Sequence, residues 1–321
     1  MLYIQEMNEG MKVSGIYLVK SKTAATAKNG KEYNNVVLMD KTGVIDGKIW
    51  EPDSAAIDDF DALDYIDVVG SVSRYNGALQ ISLTRVRKAR EDEYNTADYL
   101  PQSPFNIDEM YNALLKFIER VENPYLHALL QHFFVEDTDF VKKFRSSSAA
   151  KTIHHAFVGG LLQHTVYVTS ICNFFCRQYP VLNKDLLLTA AMCHDIGKTQ
   201  ELSAFPKNDY TDDGQLLGHI MIGAEMIHDA ARDIPGFPAQ LESDLKHCIL
   251  AHHGEYEFGS PKKPALAEAM ALNFADNADA RLESVTELFK ANSQRPDDEW
   301  LGFNRIFDSN IRKTGDLSSL K

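Results

Sequence analysis

The chain has 321 residues, of which 44% are hydrophobic and 25% are charged. This length suits two modest domains, or one domain with appendages, and is ample for a buried core. The formal net charge of −13 excludes a generally basic coat for nucleic acid. The sequence contains no run of 18 apolar residues and no signal-peptide pattern, so we expect a cytoplasmic protein without a membrane partner.

Residues 12–90 predict a small β-domain. Turn signals such as Asn76-Gly77 separate runs of apolar and β-branched residues at Met11–Val19, Tyr33–Met39, Val44–Trp50, Tyr65–Val72 and Leu79–Val86. Between the third and fourth runs, Glu51–Leu63 carries an early proline and is acidic and compatible with a helix. Three strands, a short helix and two strands is the order of an oligonucleotide/oligosaccharide-binding (OB) barrel, with an SH3-like barrel as the alternative.

The pattern changes near residue 91, where an acidic segment with two prolines reads as a linker. Helical spacing of apolar residues then predicts helices at Ile107–Val121, Leu161–Arg177, Asp185–His194, His219–Arg232, Leu241–His252 and Pro264–Lys290. We therefore predict a multidomain α and β protein. Its parts are a barrel domain at 1–95, a linker with leading helices at 96–145, a helical domain at 146–292 and a C-terminal tail at 293–321.

The histidines are confined to the middle of the chain. All eleven lie between His127 and His253, and none precedes residue 127. Histidine is the side chain most often used as a neutral metal ligand and proton shuttle. Residues 91–321 also carry the whole net negative charge, which suits a divalent cation site, although an ordinary acidic surface has the same composition.

The central motif is His194-Asp195, at the end of an apolar helix that Gly197 can terminate. Further candidate metal ligands lie on other predicted helices: His164, His219, His252, His253 and Asp276. Each histidine alone is more often a hydrogen-bonded core residue, but a buried unpaired aspartate is costly. Together, these residues on five helices favour a metal site.

The order H…HD…D resembles the HD-domain metal-dependent phosphohydrolase superfamily, and the additional histidines resemble its two-metal subset. The segments AAKTIHHAFVGGLLQHT, LLLTAAMCHDIGK, YTDDGQLLGHIMIGAEMI and HHGEYEFGSPKKP are similar to the YhaM-type 3′→5′ exoribonucleases. The resemblance covers roughly residues 10–290. It implies an N-terminal five-stranded OB-like β-barrel followed by an all-α HD-domain helical bundle.

The resemblance also implies the ligand set. One metal would be held by His164, His194, Asp195 and Asp276, and a second by Asp195, His219 and one or both of His252 and His253. Asp195 can bridge because a carboxylate offers two oxygens. Two divalent ions are expected, with Mn²⁺ as the implied working ion; the mixed ligands also suit Co²⁺, Fe²⁺, Ni²⁺ or Zn²⁺.

The implied reaction is hydrolysis of the 3′-terminal phosphodiester by a metal-activated water, which releases nucleoside 5′-monophosphates. Asp195 and Lys198 are the predicted catalytic residues. Lys198 would neutralise charge on the phosphoryl group, or would instead counter a helix macrodipole. Lys151, His154 and His155 are predicted to contact substrate phosphate or to support the metal shell.

The predicted barrel supplies a surface for a single strand, because OB barrels combine basic grooves with aromatic rings on which bases stack. The candidate residues are Tyr17, Tyr33, Trp50, Arg74, Arg85 and Arg87, although some of the aromatics are expected to fill the core. Strand alternation places Lys48 with Trp50 on one face. The expected partner is single-stranded RNA; single-stranded DNA and homo-oligomerisation stay open.

Two other functions are compatible with parts of the sequence. One is an HD-type phosphohydrolase for nucleotides or cyclic dinucleotides, which the barrel disfavours. The other is a nucleic-acid-binding protein with a structural metal site, which the intact ligand set disfavours.

Overall fold

In the computed structural model, which describes residues 2–27, 30–151, 155–292 and 299–314, the N-terminal part is a closed five-stranded barrel. Its strands are β1 (Lys12–Thr26), β2 (Glu32–Asp40), β3 (Gly43–Ile49), β4 (Tyr65–Tyr75) and β5 (Ala78–Lys88). The strand order is β1-β2-β3-β5-β4, and β4 closes the barrel on β1. The β3–β5 pair is parallel and the others are antiparallel. This is the OB topology, so the OB prediction is confirmed and the SH3-like alternative is wrong.

The barrel interior is filled by inward-facing side chains from every strand. Gly70 shows how closely β4 and β5 approach, because a Cβ atom there would lie 2.6 Å from the Ser82 carbonyl oxygen. The strand register also shifts beside Gly70, where a bulge increases the local bend. The interior is therefore packed with side chains and leaves the outer surface for ligands.

The helix predicted within Glu51–Leu63 is wrong. This segment forms turns, and its backbone pairs with β5 instead: Asp58 N–H donates to the Val86 carbonyl, and Val86 N–H donates to the Ala56 carbonyl, both at 2.9 Å. Phe60 is buried in the barrel core. The backbone of this segment is thus hydrogen-bonded to β5 and Phe60 is buried in the barrel. A helix would have used the same backbone groups for its own hydrogen bonds.

The rest of the chain is mainly helical. Its helices are α1 (Ile107–Ile118), α2 (Pro124–Gln131), α3 (Thr138–Ser146), α4 (Gly160–Gln178), α5 (Lys184–Cys193), α6 (Lys198–Glu201), α7 (Asp212–Leu216), α8 (Gly218–Asp233), α9 (Ala239–Ala251) and α10 (Ala267–Ala291). Asn106, Asn123 and Asn183 cap α1, α2 and α5 through their side-chain oxygens. The predicted helices are present, with ends that differ by a few residues.

The helical core is centred on α5. Its residues from Leu186 to Cys193 are all buried, because α4, α9, α10 and α2 pack around it. A helix that is apolar on every side is typical of the centre of a bundle. This packing fixes the C-terminal end of α5, which carries the His-Asp motif.

A small apolar cluster lies where the barrel adjoins the helical part. Leu18 and Tyr65 of the barrel pack with Tyr99 and Leu100. The segment after β5 therefore packs against the barrel instead of extending from it as a free linker. Ser103 N–H then donates to the Val158 carbonyl at 3.0 Å, just before α4.

The tail contains a β-hairpin of β6 (Trp300–Asn304) and β7 (Ser309–Arg312), which the sequence did not predict. Trp300, Phe303 and Ile306 are exposed on it. Within the described ranges, none of the helices combines the length and the apolar character needed to cross a membrane.

Candidate metal centre

The His194-Asp195 pair lies in the turn between α5 and α6. Gly197 was predicted to terminate α5, but its φ of −61° is right-handed, so it does not provide a left-handed helix end. A Cβ atom on Gly197 would instead overlap the His219 carbonyl oxygen and lie 2.7 Å from the Gly223 nitrogen. Gly197 therefore allows this turn to pack directly on the first turn of α8.

Two groups of side chains converge on this turn. In the first group, His164 of α4, His194 and Asp276 of α10 have ligand atoms within 4.8 Å of one another. His164 Nε2 lies 3.1 Å from His194 Nε2 and 3.2 Å from Asp276 Oδ1. These atoms form a mixed imidazole–carboxylate set that can hold a divalent metal.

The second group contains His219, at the start of α8, with His252 and His253, which follow α9 directly. Their ligand nitrogens also lie within 4.8 Å of one another. The structure thus brings both members of the His252-His253 pair to the cluster.

Asp195 lies between the two groups. Its Oδ2 is 3.5 Å from His164 Nε2 and 3.4 Å from His194 Nε2. Its Oδ1 is 3.5 Å from His219 Nε2 and 3.7 Å from His252 Nε2. Each oxygen therefore faces a different group, as expected for a carboxylate that bridges two ions.

Backbone carbonyls orient three of the rings. Each of these rings donates its Nδ1–H to a carbonyl oxygen: His194 to Ala191 (2.8 Å), His252 to Ile249 (2.6 Å) and His253 to Phe258 (2.8 Å). A hydrogen bond of this kind fixes the tautomer and leaves Nε2 as the free electron-pair donor.

Carboxylates orient the other two rings. His164 Nδ1–H donates to Asp279 at 2.6 Å, and His219 Nδ1–H donates to Glu201 at 2.8 Å. Glu201 was missed at the sequence level, because its single sequence signal is a carboxylate six residues after Asp195. Asp279 is buried.

The donor atoms fit a cation. In their neutral, metal-binding form, with both Nδ1 atoms donating, His164 and His194 direct their Nε2 electron pairs toward each other at 3.1 Å. Among the described residues, Asp195 Oδ1 and His219 Nε2 are also buried without a hydrogen-bond partner. A buried unsatisfied polar atom costs about 1–3 kcal/mol. A positive ion between these atoms would satisfy all of them.

The local electrostatics also favour positive charge. Burial opposes ionisation of Asp195, but Lys198 and His194 outweigh it and hold the pKa of Asp195 well below its usual value. Burial likewise opposes protonation of His164, yet Asp276 and Asp279 raise the pKa of His164 to about 10. Burial and neighbouring imidazoles lower the pKa of His252, which keeps that ring neutral for metal binding.

Lys198 lies at the start of α6, and its Nζ is 2.6 Å from Asp195 Oδ2. Its ammonium thus pairs directly with the Asp195 carboxylate, and both predicted roles, toward the phosphoryl group and toward the macrodipole of α5, stay predictions. Burial would lower the pKa of Lys198, but Asp195 raises it, so the side chain stays charged. It lines the same cavity as His164 and Asp276.

Three nearby residues were predicted to contact the substrate. His155 is fully buried and donates from Nε2 to Asp279 at 3.0 Å, so substrate contact is wrong for this ring, and the alternative, support of the metal shell, stays a prediction. Lys151 is exposed, with its ammonium 2.6 Å from Asp209. His154 lies outside the described residues.

On the barrel, Tyr17 cannot stack on a base, because it is fully buried and its hydroxyl donates to the Leu2 carbonyl. Tyr33 and Trp50 form a surface pair with ring centroids 5.0 Å apart, and Trp50 is 49% exposed. Lys48 Nζ lies 5.5 Å from the Tyr33 ring centroid. Tyr33 on β2 and Lys48 on β3 are half-buried, and Trp50 directly follows β3, so the three form an aromatic and basic patch that opens to solvent at Trp50.

The three predicted arginines are exposed but paired with acids. Arg74 lies 3.4 Å from Glu9, and Arg85 and Arg87 share Asp67 at 3.2 and 3.3 Å. Their positive charge is therefore partly neutralised within the barrel.

The sequence comparisons agree with this geometry. Residues 161–281 match the family described as "HD domain". Proteins named "3′-5′ exoribonuclease YhaM" from Bacillus velezensis and Bacillus licheniformis are each 34% identical to this chain. These alignments cover 85% and 86% of the chain and 86% and 87% of the relatives. The relative with the same name from Geobacillus sp. is 33% identical over 86% of the chain and 84% of its own length.

Among solved structures, the second OB-fold domain of replication protein A from Methanococcus maripaludis aligns with 27% of this chain and 93% of its own. The identity is 22% and the TM-score is 0.22. The barrel topology and the helical His-Asp cluster define an HD-domain protein with an N-terminal OB barrel. The extent of the similarity to the named relatives shows that the chain belongs to the YhaM family of 3′–5′ exoribonucleases.

Proposed function

We propose that this protein is a metal-dependent exoribonuclease that removes nucleotides one at a time from the 3′ end of single-stranded RNA and releases nucleoside 5′-monophosphates. Family membership supports this reaction class. The structural observation that carries the proposal is the position of Asp195, whose two oxygens face two separate groups of candidate ligands.

In this proposal, His164, His194, Asp195 and Asp276 hold one ion, and Asp195, His219, His252 and His253 hold the other. Two such ions supply Lewis acidity, which lowers the pKa of water and neutralises phosphate oxygens. Imidazole and carboxylate ligands favour Mn²⁺, Fe²⁺, Co²⁺, Ni²⁺ or Zn²⁺ over Mg²⁺, and we take Mn²⁺ as the working ion.

The protein groups position and stabilise the reacting phosphate. Lys198 keeps a positive charge on the wall of the cavity, where it stabilises negative charge that develops on the phosphoryl oxygens. Asp279 and Glu201 hold the rings of His164 and His219 in place.

The barrel binds the strand upstream of the reacting end. The patch of Tyr33, Lys48 and Trp50 offers rings on which bases stack and a cation for phosphate. Because the nearby arginines are paired with acids, this contact is modest in strength and sensitive to salt.

The test is an assay on 5′-labelled single-stranded RNA with Mn²⁺, with and without a chelator. A ladder of shortened products and released 5′-monophosphates is expected only with the metal. The Asp195→Ala variant should bind the RNA but leave it intact. Normal turnover by this variant, correctly folded, would refute the assignment of the site.

The same assay distinguishes the alternatives. Cleavage confined to mononucleotides or cyclic dinucleotides would indicate a small-molecule phosphohydrolase. Binding of RNA without cleavage under every metal would indicate a structural site. A parallel reaction on single-stranded DNA of the same sequence measures the preference for RNA.

A further inference from the structure

A groove leads from the candidate metal centre along α10. Two adjoining cavities of about 330 Å³ and 280 Å³ form it, and His253, Phe258 and Asn277 line both. The first cavity also reaches His164 and Asp276. The groove is therefore continuous with the ligand cluster.

Two phenylalanine rings in this groove are left uncovered by the fold. Phe258 is 62% exposed and Phe274 is 64% exposed, although burial of apolar rings would stabilise the protein. Phe274 lies on α10 two residues before Asp276, and the Phe258 carbonyl accepts the hydrogen bond from His253. Phe274 thus lies on the helix that carries Asp276, and the Phe258 backbone is hydrogen-bonded to the candidate ligand His253.

The remaining lining is suited to a nucleic acid strand. Lys198 lines the cavity at the metal centre, and Lys263, paired with Glu255, lines the second cavity. Asn273 also lines the second cavity, and Asn277 lines both. Lysines and exposed aromatic rings in one groove are the kinds of side chain that contact the phosphates and the bases of a single strand.

The length of the groove fits more than one nucleotide. Its lining on α10 runs from Met270 to Ala280, which corresponds to about 15 Å at 1.5 Å per residue. Stacked bases are separated by about 3.4 Å along a strand. A terminal nucleotide and its neighbour therefore fit within this length.

We infer that this groove holds the 3′-terminal nucleotides of the single strand, with their bases on Phe258 and Phe274 and the reacting phosphate at the metal centre. The inference rests on the proposed exoribonuclease function and identifies residues that position its substrate. Because every base has an aromatic face, stacking tolerates all sequences. An enzyme that shortens RNA one nucleotide at a time needs this tolerance.

Steady-state kinetics on a five-nucleotide RNA test the inference. Phe258→Ala and Phe274→Ala should each raise KM about 5- to 100-fold, the range that loss of one stacked base produces, while kcat changes little. Phe274→Trp should keep KM near the wild-type value, because a tryptophan ring also stacks on a base. The control is Phe174→Ala, which removes a similarly exposed ring (56%) from α4.

A second substrate separates stacking from a general loss of fit. Removal of the 3′-terminal base from the RNA should weaken its binding to the wild-type enzyme. The same removal should weaken binding to the Phe258→Ala/Phe274→Ala double variant much less. Equal losses for the two proteins, or unchanged KM in both single variants, would overturn the groove assignment alone. Failure of the wild type to shorten any RNA would overturn the proposed function and the groove assignment with it.

Discussion

Glu201 accepts two hydrogen bonds from His219, one from the backbone N–H at 3.0 Å and one from the ring Nδ1–H at 2.8 Å. Glu201 ends α6 and His219 is the second residue of α8, so one carboxylate fixes both the first turn of that helix and the rotation of the His219 ring. The His219 Nε2 atom is left 3.5 Å from Asp195 Oδ1.

We expect Glu201→Ala to weaken binding of the ion near His219 by about 10- to 100-fold, because hydrogen-bond partners of ligand histidines contribute this much to metal affinity. Calorimetric titration with Mn²⁺ and measurement of bound metal should show one weakened site and one unchanged site. The matched control is Glu242→Ala, which removes a similar 2.7 Å bond to His228 on the surface. Two unchanged sites would contradict the prediction.

Asp279→Ala should weaken the other ion by a similar factor, because Asp279 holds His164 at 2.6 Å and is itself bound by His155. The same titration should show weaker metal binding at the site that Glu201→Ala leaves unchanged. The double variant should lose both. If both single variants weakened the same ion, the division of the ligands into two groups would be wrong.

Gly197→Ala should destabilise the protein by about 1–3 kcal/mol, because the added methyl group would overlap the backbone of α8. Urea unfolding measures this difference. Gly43→Ala is the control, since its Cβ atom would meet only an Ile4 methyl group at 3.8 Å. Equal stability of the two variants would show that the turn and α8 are less closely packed than described.

Trp50→Ala should weaken binding of a long RNA about 5- to 100-fold and leave cleavage of a dinucleotide nearly unchanged. The reason is that Trp50 is exposed on the barrel and is not among the described residues that form the His-Asp cluster. Binding of a 20-nucleotide RNA and kcat/KM on a dinucleotide provide the comparison. Equal losses on both substrates would argue against a separate strand-binding role.

Metal should stabilise the folded protein. At a free concentration of 1,000 times Kd, one site contributes about 4 kcal/mol, and each kcal/mol raises Tm by roughly 2–4 °C for a domain of 150–250 residues. Thermal unfolding with Mn²⁺ and with a chelator measures the difference. Asp195→Asn should reduce the shift, and an identical Tm with and without metal would contradict binding.

Much of the helical domain was predictable because its signals are periodic. The apolar spacing predicted α5, and the His-Asp pair at its end pointed to a metal site. Glu201 carries no such signal, since its importance depends on α6 packing against α8 in three dimensions. Contacts between segments that are distant in sequence leave no periodic pattern.

Tyr17 shows a different reason for failure. Alternation along a strand assumes that one face is open, but Tyr17, Leu18 and Val19 are all buried in β1. Tyr17 fills the barrel, while Leu18 is covered by Tyr99 and Leu100. A strand enclosed on both faces cannot reveal from its sequence which aromatic rings are available to a ligand.

The hydrogen bonds from the His194 and His252 rings to backbone carbonyls make the geometry of the candidate metal site depend on helix length. Both residues directly follow the last residue of a helix, and each ring donates to the carbonyl three positions earlier, in the last turn of that helix. An insertion of one residue in α5 or α9 would turn the following imidazole by about 100° around the helix axis. The direction in which each imidazole faces the candidate metal site therefore depends on the number of residues in its helix. We expect surface residues of α5 and α9 to vary far more freely than the lengths of these helices.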